Sequence, residues 1–202
     1  MNLLTRLILG CWLYLRRDRL PPADLNGAVL YFAFSSNMIE RLFRERRHIT
    51  PIKTRVARLD GFRPRFAVAG RRNSGAWARF VELLQGIHQI TAGGSKPGVS
   101  DPAKIVEAPG EHVWDVLYRI TQRNLIWLDS TEGVPDPHYR HLWTEAEDMR
   151  GRRRSCLTYM ADGLEKDGNP SLRYLTLLRE GASAYGLPEP YVLLLNNVKH
   201  AD

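Results

Sequence analysis

The chain has 202 residues, 44% of them hydrophobic and 25% charged, which is enough for one domain with a real core and excludes a disordered polymer. A formal net charge of +7 and a pI near 9.7 favour acidic partners, whether nucleic acid, anionic lipid or small carboxylates, and select none of them. The two cysteines, Cys11 and Cys156, form no CxxC and no zinc spacing, and fit ordinary thiols in a reducing, cytoplasmic compartment.

Residues 1–25 stand apart from a domain over residues 26–202. The apolar run "LILGCWLYL", Leu7 to Leu15, follows Arg6 and precedes "RRDRLPP". It is too short to span a bilayer, which takes roughly 20 residues, and arginines replace the small-residue cleavage site of a signal peptide. Two expectations stay open: a helix docked on the domain, or peripheral membrane contact through residues 3–19, with Trp12 and Tyr14 at the interface and Arg16, Arg17 and Arg19 on head groups.

Pro21-Pro22 closes that segment. "AVLYFAF", Ala28 to Phe34, is short and rich in strand formers, the pattern of a buried strand. "NMIERLFRERR", Asn37 to Arg47, carries Met38, Leu42 and Phe43 in a helical stripe, with Asn37 as N-cap and Glu40 completing a capping-box-like pair. "TRVARLDGFRPRFAV", Thr54 to Val68, predicts two short strands around an Asp60-Gly61 turn. Residues 70–102 mix a short helix over Trp77 to Leu84 with Gly- and Ser-rich loops. "HVWDVLYRI", His112 to Ile120, alternates as a strand does. "TQRNLIWLDSTEG" opens on an N-cap signal at Thr121 and ends at Gly133, a helix of about three turns. "SCLTYMA", Ser155 to Ala161, predicts a strand. Ser171 to Asn197 predicts two helices, the first stopped around Gly181 to Gly186 and the second starting after Pro188.

The junction "LYFAFSSNM", Leu30 to Met38, runs strand, Ser-Ser loop, helix start. It leaves N–H groups of Ser35, Ser36, Asn37 and Met38 without helical partners, next to two hydroxyls. Such a turn can cradle a carboxylate or phosphate, or can be a capped turn with no ligand. Glu132, in "LDSTEGV", falls at a helix C-terminus, where the dipole opposes its charge. That fits a surface carboxylate, or a base whose pKa is raised by its surroundings. The arginine-dense stretches Arg41 to Arg55 and Arg150 to Arg154 could meet a nucleic-acid backbone, but Glu40, Glu45 and "EAEDM" interleave them, and solvated faces with no specific nucleic acid are the expectation.

"LYFAFSSNM" resembles the "Y-F-A-Y-G-S-N-M" loop of the gamma-glutamylcyclotransferase family, to which AIG2-like chains belong. The resemblance continues in order through "VARLDGFRPRF"; through "EAPGEHVWDVLYRI", similar to "P-G-x-x-V-W-G-V-V-(Y/W)-x-(I/M)"; through "NLIWLDSTEGVPDPHYR", similar to "L-D-x-x-E-G-V-x-x-x-x-Y"; and through the C-terminal "G-A-x-x-x-G-L-P". The resemblance implies a mixed α+β (α/β) domain, a small curved sheet or β-barrel flanked by helices. It implies a cofactor-independent enzyme of acyltransferase or cyclising-lyase type, which closes a gamma-glutamyl group to 5-oxoproline and releases an amine or amino acid. It places Glu132 at the catalytic glutamate, and puts Phe34, Ser35, Ser36, Asn37, Met38, Tyr139, Tyr159 and Tyr174 around the substrate, with Asp129 bracing the glutamate's turn. Neither metal nor cofactor is implied; the candidate partners are a small gamma-glutamyl substrate and a second copy of the chain in a homodimer. The chain departs from the family's loop at Phe34, where Tyr is usual, and at Ser35, where Gly is usual. If that position has φ > 0, Ser35 carries strain. The alternative expectation is therefore an inactive binding module of the same fold that recognises a small carboxylate.

Overall fold

A computed structural model describes residues 23–66, 99–100, 103–132, 139–161 and 168–201, apart from the side chains of residues 46, 99, 100, 103, 130–132, 139 and 161. In chain order the elements are β1 (Ala28–Ala33), a 3-10 turn (Ser35–Met38), α1 (Glu40–Arg47), β2 (Lys53–Phe66), β3 (Val99–Ser100), β4 (Ala103–Thr121), α2 (Gln122–Glu132), β5 (Tyr139–Asp148), β6 (Arg153–Ala161), β7 (Asn169–Pro170), α3 (Leu172–Ala184) and α4 (Glu189–Asn197). The apolar segment before Pro21 and the helix expected over Trp77 to Leu84 lie outside the described residues.

The sheet closes on itself in the order β1-β4-β2-β5-β6, and β3 pairs with β7 in a separate two-stranded ribbon. The fold is mixed α+β, a curved barrel flanked by helices, as expected. β1 pairs antiparallel with β4 from Ala28 opposite Thr121 to Ala33 opposite Val116, and parallel with β6 at Tyr31 opposite Leu157. Side chains alternate across the wall. Val29, Tyr31 and Ala33 of β1 join Val116, Tyr118 and Ile120 of β4 in one apolar cluster, with Phe43, Leu125, Leu128 and Leu178. Phe32, Val113 and Leu117 turn to a second, with Ala57, Leu59, Ala182, Leu187 and Tyr191. Helices therefore cover apolar side chains on both faces of the wall.

Two expectations are corrected. The Asp60-Gly61 pair makes no hairpin: β2 runs unbroken from Lys53 to Phe66 and pairs with β4 along its whole length. Gly61, at φ 81°, sits instead at a bulge where the register slips between Asp60 opposite His112 and Phe62 opposite Glu107, a use of a left-handed glycine that keeps the strand direction. The strand expected from His112 to Ile120 is part of the 19-residue β4, which already begins at Ala103.

The C-terminal motif has a direct physical basis. α3 runs through Gly181 to Ala184, within the stop expected around Gly181 to Gly186. It ends in a Schellman motif: Leu187 N–H bonds the Ala182 carbonyl at 2.9 Å, Gly186 N–H bonds that of Ser183 at 3.0 Å, and Gly186 takes φ 61°. Pro188 then caps α4. At the far end of the β5–β6 hairpin, Asp148 accepts backbone bonds from Arg150 (3.0 Å) and Arg152 (3.2 Å) and side-chain bonds from Arg152 and Arg154. Burial alone would raise its carboxyl, but these donors together hold it well below the usual carboxylate range. The basic stretch around Arg150 is thus partly neutralised, as are Arg41 and Arg44, which pair with Glu45 and Glu40.

Asp148→Ala should cost about 2 kcal/mol, because two turn amides lose their acceptor and two guanidinium groups their partner. The cost should begin to shrink as pH falls below about 4, where an unfolded-state aspartate gains its proton, and continue shrinking until the folded carboxyl is protonated as well, so that it is smaller but still present at about pH 3. Urea melts of the two proteins at pH 7 and pH 3 measure it.

Candidate active site

β1 delivers the chain to the 3-10 turn, and three side chains from distant segments and one from β1 itself hold that turn. The Ser35 N–H donates to Asp115 Oδ2 on β4 at 3.2 Å. Ser35 Oγ is hydrogen-bonded to the hydroxyl of Tyr174, in the first turns of α3. Asn37 Nδ2 donates to the Tyr31 hydroxyl at 3.0 Å, and Tyr118 donates to the Met38 carbonyl at 2.7 Å. Tyr118 in turn meets Tyr185, whose hydroxyl donates to Glu40 at 3.1 Å.

The details differ from the sequence expectation in two respects. Asn37 is not a helix cap: it lies inside the 3-10 turn, and α1 begins at Glu40 after Ile39, with no side-chain cap. The Ser35 amide does not face a ligand, because Asp115 takes it. Ser35 has φ 74°, so the backbone conformation that favours glycine is occupied by a residue with a side chain. Phe34, just before it, is half-buried and packs against both apolar clusters.

A second cluster lies on α2 and the β5–β6 pair. Leu125, Leu128 and Asp129 are buried on one stripe of α2, and Glu132 follows Asp129 by three residues in the same helix. The N-cap at Thr121 is as expected, with its Oγ1 accepting from Asn124 N–H at 3.1 Å. Asp129 Oδ1 meets His141 Nε2 at 2.7 Å and accepts from the Tyr159 hydroxyl at 2.5 Å. His141 and Tyr159 face each other across the β5–β6 register. Tyr159 also packs edge-on against Tyr31, ring centroids 5.6 Å apart. A continuous path of contacts therefore runs from Asn37 through Tyr31 and Tyr159 to Asp129.

Of the predicted residues, Ser35, Asn37, Met38, Tyr159 and Tyr174 converge around the turn and its path to α2, and Asp129 braces that path. Ser36 lies in the turn, its carbonyl accepting from Ile39 N–H. Glu132 is the last residue of α2 and Tyr139 the first of β5; their side chains lie outside the described residues. Sequence reasoning missed Asp115, His141, Tyr31 and Tyr118. The visible signal for the first was an acid inside the apolar run "VWDVLY". Among the described residues no group of three His, Cys, Asp or Glu could hold a metal, and no helix is long and apolar enough to cross a membrane. Cys156 is buried, its thiol pushed up to about 12 by burial, so it is no nucleophile.

The same architecture recurs in known proteins. A solved gamma-glutamyl cyclotransferase superposes with a TM-score of 0.66 over 87% of this chain and 90% of its own, at 24% identity. The crystal structure of an uncharacterized Homo sapiens protein matches equally, at 25% identity and TM-score 0.66. The AIG2-like family matches residues 112–195. Gamma-glutamylcyclotransferase of Bos taurus is 29% identical over 174 residues, 86% of this chain and 80% of that one, and the Homo sapiens enzyme of that name is 28% identical over 176 residues. The chain is gamma-glutamylcyclotransferase-like in sequence and in fold. Ser35 and Asp115, which both stand at glycine positions of the motif patterns the sequence resembles, are joined by the Ser35 N–H bond to Asp115.

Burial pushes the Asp115 carboxyl well above its ordinary range, against the opposing bonds from Ser35 and Val116 N–H. Tyr118 and Tyr191, which sense its charge, have phenols that burial raises too, so they stay neutral. An acid that holds its proton more tightly when folded makes stability fall as pH rises above its unfolded pKa of about 3.9. Asp115→Asn should therefore match wild type near pH 4 and gain on it steadily toward pH 8 in denaturant melts. Separately, a Cβ at Gly181 would lie 2.8 Å from Met38 Sδ and 2.9 Å from Met38 Cγ. Gly181→Ala should thus lose stability, instead of gaining the roughly 1 kcal/mol that alanine brings to an open helix, as read by thermal unfolding.

Proposed function

We propose that this chain is a gamma-glutamyl cyclotransferase-type enzyme, closing a gamma-glutamyl group to 5-oxoproline and releasing an amine or amino acid. The likeness to gamma-glutamylcyclotransferases over 86% of the chain supports it. The observation that carries it is the contact path from Asn37 through Tyr31 and Tyr159 to Asp129, which ties the turn to the helix that ends at Glu132.

In this proposal the Ser35–Met38 turn, Phe34 and the tyrosines Tyr139, Tyr159 and Tyr174 fold the substrate so that its α-amine reaches its own side-chain carbonyl. Both reacting atoms belong to one molecule, so positioning supplies much of the acceleration. Glu132 removes a proton from the amine, which attacks the carbonyl carbon. The tetrahedral oxyanion collapses, the carbon–nitrogen bond to the leaving group breaks, and the proton passes from Glu132 to the departing nitrogen. Every atom of the ring comes from the substrate, and no cofactor enters. Asp129, held by His141 and Tyr159, braces the last turn before Glu132.

The occupied Ser35 amide favours a second possibility, a module that binds a gamma-glutamyl carboxylate without turning it over. Incubation with a panel of gamma-glutamyl amines and amino acids should release 5-oxoproline, and Glu132→Gln should lower the rate by about 10²–10⁴-fold. Equal product from both proteins would remove Glu132 from the mechanism. Binding by both without product would leave the module.

A further inference from the structure

We propose that Asp115 is a positioning residue of the candidate site: with Tyr174 it clamps Ser35 in the left-handed conformation and so sets the course of the Ser35–Met38 turn that meets the substrate. This deepens the cyclotransferase proposal and rests on it for the identity of the substrate.

Three observations converge on Ser35. It is one of two non-glycine residues with positive φ among those described, a conformation in which Cβ crowds the following carbonyl and which glycine adopts freely. It is buried, so water does not satisfy its polar atoms. Both its N–H and its hydroxyl are taken by protein partners: the N–H by Asp115, 80 residues away in sequence, and the hydroxyl by Tyr174, 139 residues away.

Asp115 itself is otherwise a poor fit. It shares a face of β4 with the buried Val113 and Leu117, stands opposite Ala57 of β2, and is 2% exposed. One of its oxygens accepts from the adjacent Val116 N–H at 2.9 Å; the other reaches across to Ser35. Placing a carboxyl on an apolar face is unfavourable unless its hydrogen bonds are made. The bond to Ser35 is the one that links it to another segment. A side chain that brings strain, at Ser35, and a side chain that restrains it, at Asp115, are thus in direct contact. A glycine turn keeps its shape through its own freedom; here an acceptor fixes it. A fixed turn accepts fewer substrate shapes, so the clamp also narrows which gamma-glutamyl conjugates fit.

The test is a double-mutant cycle of Asp115→Ala and Ser35→Gly, with Asp115→Asn as the conservative variant. It is read by 5-oxoproline release from the best conjugate and by NMR exchange of the backbone amide proton at position 35. Asp115→Ala should raise KM about tenfold with a smaller change in kcat, and should speed exchange of that amide by about tenfold or more. Asp115→Asn keeps an acceptor and should raise KM only about threefold. Ser35→Gly in the Asp115→Ala background should return KM to within about threefold of Ser35→Gly alone, because glycine needs no clamp. Loss by Asp115→Ala that Ser35→Gly does not relieve would show a core-filling role and overturn the clamp, as would a Ser35 amide equally protected in wild type and Asp115→Ala. If the wild-type protein turns over no conjugate, the cyclotransferase proposal fails, while the exchange measurement still decides whether Asp115 holds Ser35.

Discussion

The Ser35 N–H bond to Asp115 is the contact on which the geometry of the site depends. A strand that ends in a tight turn can leave the barrel in several directions. Here the turn leaves in one, because its first residue is tied to β4 by its amide and to α3 by its hydroxyl. The rest of the turn inherits that direction: Asn37 comes to Tyr31, the Met38 carbonyl to Tyr118, and the Met38 side chain into the space beside Gly181. The energetic logic is that of a strained residue surrounded by enough partners to over-determine it.

Two polar groupings lie on either side of Tyr31. One is the set of phenols and carboxyls around Ser35 and Met38, ending at Glu40. The other is the Asp129, His141 and Tyr159 cluster on α2 and the β5–β6 pair. Tyr31 belongs to both, by its hydroxyl to Asn37 and by its ring to Tyr159. It stacks also on Phe43 at 6.1 Å. A residue that resembles ordinary strand filling in the sequence is therefore the physical joint between the turn and α2.

Much of the architecture was legible in the sequence because it rests on local signals. Thr121 caps α2 as its side chain suggests, Pro188 opens α4, and Gly186 ends α3 in the left-handed conformation that glycine permits. The Ser-Ser-Asn turn was legible as a special junction, and Tyr159 and Tyr174 as companions to it through the family resemblance. The errors have a common cause. Asp60-Gly61 is a hairpin signal only if the two flanking runs pair with each other, and here both pair with β4, which long-range closure of the barrel decides. Asn37 looked like a cap because its side chain suits one, yet the positive φ of Ser35 diverts the chain into a 3-10 turn and delays α1 to Glu40. Asp115 and His141 were invisible as site residues because nothing near them in sequence announces their partners.

Closure of the barrel carries a consequence for the order in which the chain folds. Phe32 accepts a hydrogen bond from Thr158, 126 residues later, and the turn after β1 waits for β4 and then for Tyr174. Contacts of such long sequence separation form slowly and late. The first elements to emerge during synthesis therefore lack the partners that hold the Ser35–Met38 turn until β4 and then Tyr174 of α3 have followed.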